Sequence, residues 1–163
     1  MASQRFFSAP VWWCFEVVNW RTQNWIYLSR EQFSDLTYFL LASVAFSTVI
    51  PAVFETAEWV RTFGWMRRLK DGPRLRATRS FCAAVVVIGV AMLALLLVWP
   101  TYFYPFIWGW LFFVLEPLNV WLGNRSLFDA TGRGDWRPVV SLALGALVCG
   151  FVWELWNCYA YPK

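Results

Sequence analysis

Long uninterrupted apolar stretches dominate the chain and predict membrane-spanning helices. Residues 81–115 form a run of thirty-five positions without a charged side chain, interrupted near its middle by Trp99-Pro100-Thr101-Tyr102. A single helix crosses a bilayer with about 20 residues at a rise of about 1.5 Å each. Because this run is much longer than one span and contains a turn-former, we predict two spans joined by a tight hairpin.

Four stretches reach the length of a span. We predict spans at residues 36–60, 81–99, 105–121 and 138–159, preceded by a shorter apolar helix at residues 6–20. Pro51 lies inside the first span and should kink it. Ser29-Arg30-Glu31-Gln32 has the spacing of a capping box, which predicts that a helix begins ahead of this span. The predicted fold class is all-α, a polytopic transmembrane helix bundle in a single domain over residues 1–163.

Composition indicates that lipid is the solvent. Hydrophobic residues make up 60% of the chain, 13 of its 163 residues are Trp, and only 15% are charged, against about 25% in soluble proteins. The net charge of +4 could suggest nucleic acid. The basic residues, however, cluster in loops beside apolar runs, where they act as topology signals and contacts for anionic lipids. We therefore expect membrane lipids, and no nucleic acid, among the partners.

The basic residues also predict the side of the membrane on which each loop lies. The loop between the first and second spans contains Arg61, Arg67, Arg68, Lys70, Arg74, Arg76 and Arg79. The loop between the third and fourth spans contains Arg125, Arg133 and Arg137, whereas the hairpin contains none. Positively charged loops stay in the cytoplasm, so both basic loops are predicted to be cytoplasmic. The other side carries an aromatic belt at the hairpin and at Tyr159 and Tyr161.

The spacing E-x-x-N occurs three times in aromatic-rich surroundings. The pairs are Glu16 with Asn19, Glu116 with Asn119, and Glu154 with Asn157. Residues three apart share a helix face, so these six residues are predicted to form structural polar clusters. The first and last copies match best and indicate a diverged duplication, although two short motifs can also coincide by chance. A duplication predicts a further span after Lys163.

Five acidic residues lie in or beside the apolar segments, namely Glu16, Glu55, Glu58, Glu116 and Glu154. A charge at the centre of a spanning helix costs about 2.5–3.5 kcal/mol, so these side chains should face protein. In one interpretation each carboxylate accepts a hydrogen bond from an indole, an Asn amide or an Arg at a helix contact. In the alternative, Glu116 acts with Glu55 or Glu58 as a catalytic group for proton transfer.

The chain contains no His, and its four Cys residues include no C-x-x-C pair. Its sequence therefore lacks the usual ligands for haem, chlorophyll, zinc or copper, as well as His-based triads and iron–sulfur motifs. We expect no metal and no cofactor ligated by His or Cys, whereas lipid, carotenoid or quinone could cover the apolar helices. Cys14 and Cys158 could form a bridge near the outer face, or remain free.

Four segments resemble a family of uncharacterised bacterial multi-span membrane proteins. They are Phe54-Glu55-Thr56-Ala57-Glu58, Leu115-Glu116-Pro117-Leu118-Asn119, Gly134-Asp135-Trp136-Arg137-Pro138 and Trp153-Glu154-Leu155-Trp156-Asn157. The resemblance covers most of the chain and implies a bacterial inner membrane. It implies no catalytic residues.

Two functions are compatible with these features. The first is a non-catalytic accessory subunit of a larger membrane complex, bioenergetic or photosynthetic, that contacts other membrane subunits through its aromatic faces. The second is a small membrane enzyme or carrier for a lipid or isoprenoid that uses the intramembrane Glu residues. The lack of a soluble domain, a redox motif or a ligand cluster in the sequence favours the first.

The predicted orientation can be tested by thiol labelling. In a variant whose four Cys are replaced by Ser, single cysteines introduced beside Arg74 and beside Tyr102 should react with a membrane-impermeant reagent from opposite sides. Labelling in intact and in permeabilised cells measures this difference. Labelling of both positions from one side would contradict the orientation.

Overall fold

The structure is a computed structural model that describes residues 2–160, and the side chains from Phe7 onwards. Within this part of the chain all regular structure is helical, with no strand. The helices are α1 Ala2–Thr22, α2 Asp35–Phe46, α3 Val49–Arg61, α4 Arg79–Val98, α5 Pro100–Phe103, α6 Trp110–Trp121, α7 Leu127–Gly132 and α8 Arg137–Tyr159. Short 3-10 turns lie at Arg30–Gln32, Gly64–Leu69 and Tyr104–Trp108. Tyr161 of the predicted aromatic belt lies outside the described residues.

Four helical segments are long and apolar enough to cross a membrane. They are Asp35–Arg61, Arg79–Val98, Pro100–Trp121 and Arg137–Tyr159. The predicted all-α class with four spans is confirmed. The third segment begins at Pro100 rather than at residue 105, because the hairpin itself is helical and continues through a 3-10 turn into α6.

The chain divides into two compact units. The first unit comprises Met1–Val17, Trp25–Phe63 and Val140–Lys163, and the second comprises Val18–Asn24 and Gly64–Val139. The first unit therefore contains most of α1, all of α2 and α3, and most of α8. The second contains α4, α5, α6 and α7 with both basic loops, apart from Arg61.

In the first unit, the first span is interrupted between α2 and α3. Pro51 has no amide hydrogen, and its ring would clash with the carbonyl of Ser47 four residues earlier in a regular helix. The helix accordingly ends at Phe46 and restarts at Val49. At the place of the predicted kink, the structure thus has an interruption of the helix one turn before Pro51.

Ser8 fills this interruption. Its side chain is 1% exposed, and its hydroxyl donates to the Phe46 carbonyl and accepts from the Ile50 amide at 3.0 Å. In an unbroken helix that amide and carbonyl would bond each other. The Ser8 hydroxyl therefore replaces one missing helical hydrogen bond with two of its own, as an inserted side chain can where a helix is interrupted.

The capping box predicted at Ser29 is wrong. Ser29 has a φ of 61°, its side chain makes no capping bond, and only the turn Arg30–Gln32 follows it. An N-cap residue needs extended backbone geometry, which the left-handed conformation does not provide. The helix begins at Asp35 instead, where the extended Ser34 accepts from the Thr37 amide at 3.2 Å.

Helices α3 and α8 approach closely at Gly145. A Cβ atom added there would lie 2.8 Å from the Val53 carbonyl oxygen and 2.9 Å from the Ala57 amide nitrogen. One turn further along α8, the Cys149 sulfur lies 3.3 Å from the Thr56 hydroxyl. Close backbone approach of this kind needs a small residue at the contact.

In the second unit, α4 packs against α6. A Cβ atom added at Gly89 of α4 would lie 2.9 Å from the Phe113 Cβ and 3.0 Å from the Trp110 carbonyl oxygen. The absence of a side chain at Gly89 therefore sets the distance between the two helices that flank the hairpin.

The two basic loops of the second unit are hydrogen-bonded to each other. The Gly72 amide donates to the Gly134 carbonyl at 2.8 Å, and the Leu75 amide donates to the Thr131 carbonyl at 3.0 Å. The Trp136 indole donates to the Pro73 carbonyl at 2.7 Å. These hydrogen bonds hold the two basic loops together.

The Gly145 contact predicts a specific loss of stability. Gly145→Ala should lower the free energy of unfolding by about 1–3 kcal/mol, because the added methyl overpacks the α3 backbone. Gly150→Ala is the matched control, since nothing lies within 4 Å of a Cβ there and alanine favours the helix. Denaturation in mixed micelles measures both variants. Equal stability of the two would contradict the close contact.

Candidate functional site

Glu16 is the most enclosed carboxylate of the first unit. It lies near the end of α1, is 6% exposed, and accepts from the Tyr27 hydroxyl at 2.6 Å and the Trp25 indole at 3.2 Å. Burial first, and then the hydrogen bond to Glu16 and the charge of that carboxylate, raise the pKa of Tyr27. The Tyr27 phenol therefore keeps its proton at neutral pH and donates a hydrogen bond to Glu16. This bond holds the segment that follows α1 against the end of that helix.

Asn19, which is 6% exposed, finishes the same helix within the second unit. Its side-chain oxygen accepts from the Asn24 amide at 2.8 Å, and its carbonyl accepts from the Gln23 amide at 2.8 Å. Gln23 has a φ of 52°, a left-handed conformation that commonly ends helices. Asn19 thus satisfies backbone amides just beyond the end of α1.

Glu116 makes the corresponding contacts at the end of α6. It is 8% exposed, and one carboxylate oxygen accepts from the Ser126 hydroxyl at 2.8 Å and from the Leu127 amide. Ser126 and Asp129 form a capping box at the start of α7. The Glu116 carboxylate therefore connects the end of one helix to the beginning of the next.

The end of α6 resembles the end of α1 in its left-handed residue and its buried Glu, but Asn119 accepts through its main-chain carbonyl and not through its side chain. The Asn124 amide donates to the Asn119 carbonyl at 2.8 Å and the Gly123 amide donates to the Val120 carbonyl at 3.2 Å, the pattern of a Schellman motif. Gly123 has a φ of 70°, like Gln23 in the first case. In both places a buried Glu accepts hydrogen bonds from residues nine to eleven positions later.

The third E-x-x-N copy has a different environment. Glu154 and Asn157 are exposed on α8, which continues to Tyr159. The geometric similarity is therefore between the copies at Glu16 and Glu116, and not between the first and last copies that the sequence comparison favoured. Glu16, Asn19 and Glu116 are buried, Asn119 is half-buried and accepts through its main-chain carbonyl, and Glu154 and Asn157 are exposed.

The remaining two acids lie on α3, and both are exposed. Glu58 forms an ion pair with Arg61, with 2.9 Å between the carboxylate and the guanidinium. Glu58 is therefore paired with Arg61, and Glu116 accepts hydrogen bonds from Ser126 and Leu127. Two of the three carboxylates of the proton-transfer interpretation thus already have partners close in sequence.

The Cys residues and the other potential metal ligands form no further site among residues 2–160. All four Cys are free, with Cys14 and Cys158 exposed and Cys82 and Cys149 buried. No group of three or more His, Cys, Asp or Glu side chains comes together there in a way that could hold a metal ion. What the polar residues do is complete the hydrogen bonds of helix ends.

Two residues that bond groups at helix ends, Ser8 and Asn24, are not among the predicted site residues. Ser8 has no local signal, because its partners lie 38 and 42 positions away. Asn24 has a signal: the longer pattern E-x-x-N-x-x-x-x-N occurs at Glu16 and Glu116, whereas the residue at the equivalent position after Glu154 is Pro162. The longer pattern would have separated the first two copies from the third.

The fold and these contacts define an all-helical protein with four helices of membrane-spanning length. Such helices are the pattern of a membrane protein. No protein-family model matches the chain, and neither curated proteins nor solved structures show a significant match to it. The resemblance to uncharacterised bacterial membrane proteins stays a prediction.

Glu116 provides a test of the structural role. Glu116→Ala removes the acceptor of Ser126 and Leu127 and should lower the free energy of unfolding by about 1–3 kcal/mol. Glu116→Gln keeps one carbonyl acceptor and should lose less. The same two substitutions at exposed Glu154 are the control and should leave the isolated protein unchanged. Equal losses for Ala and Gln at Glu116 would instead indicate that its charge is what matters.

Proposed function

We propose that the protein is a non-catalytic accessory subunit of a larger membrane complex. It would lie in a bacterial inner membrane with both basic loops in the cytoplasm, as the distribution of Arg and Lys favours. The observation that carries this proposal is the exposed polar end of α8, formed by Glu154 and Asn157.

The depth of these residues makes their exposure costly in lipid. Counted from the middle of α8, Glu154 lies about 9 Å towards the C-terminal end at 1.5 Å per residue, inside a hydrocarbon half-thickness of about 15 Å. Lipid tails offer no hydrogen-bond partner to a carboxylate or an amide. A neighbouring subunit with an indole, Arg or amide donor would supply one.

The surroundings of this polar pair suit a protein partner. Trp156 is 65% exposed and Leu155 is 43% exposed on the same stretch of helix. Trp is enriched at protein interfaces and often dominates their binding energy. An exposed Trp beside two polar groups is what a docking helix needs: an apolar anchor and hydrogen bonds that fix its position.

The spans also leave most of their surface to neighbours. Of the 18 most apolar consecutive residues of each span, only 6% are buried within the chain in the first span and 22% in the second. Lipid, carotenoid, quinone or another subunit would cover the rest without a His or Cys ligand. A bioenergetic or photosynthetic complex is the class of assembly in which we place the subunit.

The alternative of an enzyme or carrier requires carboxylates that can exchange protons. Glu116 is occupied by a hydroxyl and an amide of its own chain, and Glu58 by Arg61. These contacts support structural roles for both residues, and they favour the accessory function.

Native mass spectrometry after mild extraction from the source membrane tests the proposal. The protein should be released with a stoichiometric set of membrane subunits. The double substitution Glu154→Ala with Asn157→Ala should reduce retention of these subunits at least tenfold, as expected for the loss of two desolvated polar contacts. Thermal unfolding of the isolated protein should not change.

Glu31→Ala, at an exposed Glu outside the spans, is the control and should retain the partners. A lone monomer that carries a tightly bound lipid would overturn the proposal and support the enzyme or carrier. Retention of all partners by the double variant would show that α8 is not the contact.

A further inference from the structure

An open cleft of about 610 Å³ lies in the second unit, between the start of α4 and the end of α6. Its walls are formed by Arg79, Ala83, Val120 and Trp121. The volume equals about twenty water molecules at about 30 Å³ each and falls within the range of small-molecule sites. Neither the helix-end contacts nor the exposed polar end of α8 gives this cleft a role.

The cleft lies at the level where the hydrocarbon core of a membrane ends. Counted from the middle of α4, Arg79 lies about 14 Å towards the N-terminal end at 1.5 Å per residue, against a hydrocarbon half-thickness of about 15 Å. Trp121 is the last residue of α6 and is 47% exposed, and Trp is typical of that level. The cleft therefore opens where lipid headgroups meet their acyl chains.

Arg79 supplies the only charge of the cleft wall, and its guanidinium is available to an anion. The residue is exposed and belongs to no ion pair among the side chains that the structure describes. A guanidinium carries five N–H donors in a planar fork that matches the oxygens of a phosphate. The wall thus offers a positive charge with a preference for phosphate.

The charge around the cleft has the same sign. Residues 64–139 contain nine Arg and Lys against four Asp and Glu, a net charge of +5. All nine belong to the two basic loops, which are hydrogen-bonded to each other. Phe81 at the start of α4 meets Phe128 of α7 in the same region, with 5.3 Å between the ring centroids. The positive charge therefore collects at the end of the unit that contains the cleft, and it attracts anions towards Arg79.

The rest of the wall is apolar and favours a lipid over a soluble anion. Ala83 is exposed one turn after Arg79, on the same face of α4, and its small side chain leaves room beneath the guanidinium. Val120 and the Trp121 ring form the opposite wall. A free phosphate would use Arg79 alone, whereas a phospholipid would also place the start of an acyl chain against the apolar walls.

We propose that this cleft binds one anionic phospholipid, with its phosphate at Arg79 and the start of an acyl chain between Ala83, Val120 and Trp121. The basic loops favour a headgroup with a net negative charge over a zwitterionic one. The proposal does not rest on the accessory function, because its residues lie outside α8 and its test counts lipids and not subunits.

Lipid nanodiscs test the site directly. The purified protein is placed in phosphatidylcholine discs with increasing fractions of phosphatidylglycerol, and native mass spectrometry counts the lipids of each class that it retains. One phosphatidylglycerol should be retained in preference to phosphatidylcholine. Arg79→Gln removes the charge of the cleft and should weaken this retention about tenfold, the effect of losing one hydrogen-bonded charge.

Each variant has a matched control. Arg68→Gln removes the same charge from an exposed Arg of the same basic loop, outside the cleft, and should keep the lipid. Ala83→Leu fills the cleft without changing the charge and should weaken retention, whereas Ala91→Leu, at an exposed Ala further along α4, should not. Thermal unfolding of each variant shows that the fold is unchanged.

Competition with inorganic phosphate separates the lipid from a free anion. Retention that persists in its presence supports the lipid, and displacement would show that the phosphate group alone binds and would overturn the acyl contact. Equal losses for Arg79→Gln and Arg68→Gln would overturn the site, because the overall charge of the loops would then attract the lipid. No preference for phosphatidylglycerol would overturn it as well. None of these results changes the retention of subunits that tests the accessory function.

Discussion

Every backbone amide and carbonyl that loses its helical partner must find another where water is absent. The enclosed polar side chains of this protein serve that constraint. Ser8 bonds both groups at the interruption of the first span, and Asn19 bonds an amide beyond the end of α1. Glu116 bonds the first amide of α7. In an apolar sequence such polar residues resemble catalytic groups, but here they bond to backbone groups where one helix ends and the next begins.

Much of the fold is predictable because spans are a matter of length and apolarity. Residues 81–115 predict two helices and a hairpin without any knowledge of tertiary contacts, and Pro100 marks the hairpin correctly. The start of the first span is harder to predict. Ser29 and Ser34 are both acceptable caps by residue type, and the backbone conformation that distinguishes them is set by neighbours that the local sequence does not show.

The polar clusters were only partly predictable for a similar reason. The spacing E-x-x-N identifies Glu16 and Glu116, but their donors lie nine to eleven residues later, beyond a pattern of four. Glu154 belongs to the same short pattern, yet it is exposed, and no described residue after it folds back towards its carboxylate. Thr22 and Thr101, about 80 positions apart in sequence, line the same open cavity, and no periodicity anticipates that they lie close together.

The contact of Ser8 has a consequence for assembly in the membrane. The break between α2 and α3 can be tolerated in lipid only when Ser8 occupies it, since otherwise the Ile50 amide would face hydrocarbon. Synthesis begins at the N-terminus, so α1 leaves the ribosome before the broken span does. The Ser8 hydroxyl is thus synthesised before the carbonyl and the amide to which it bonds.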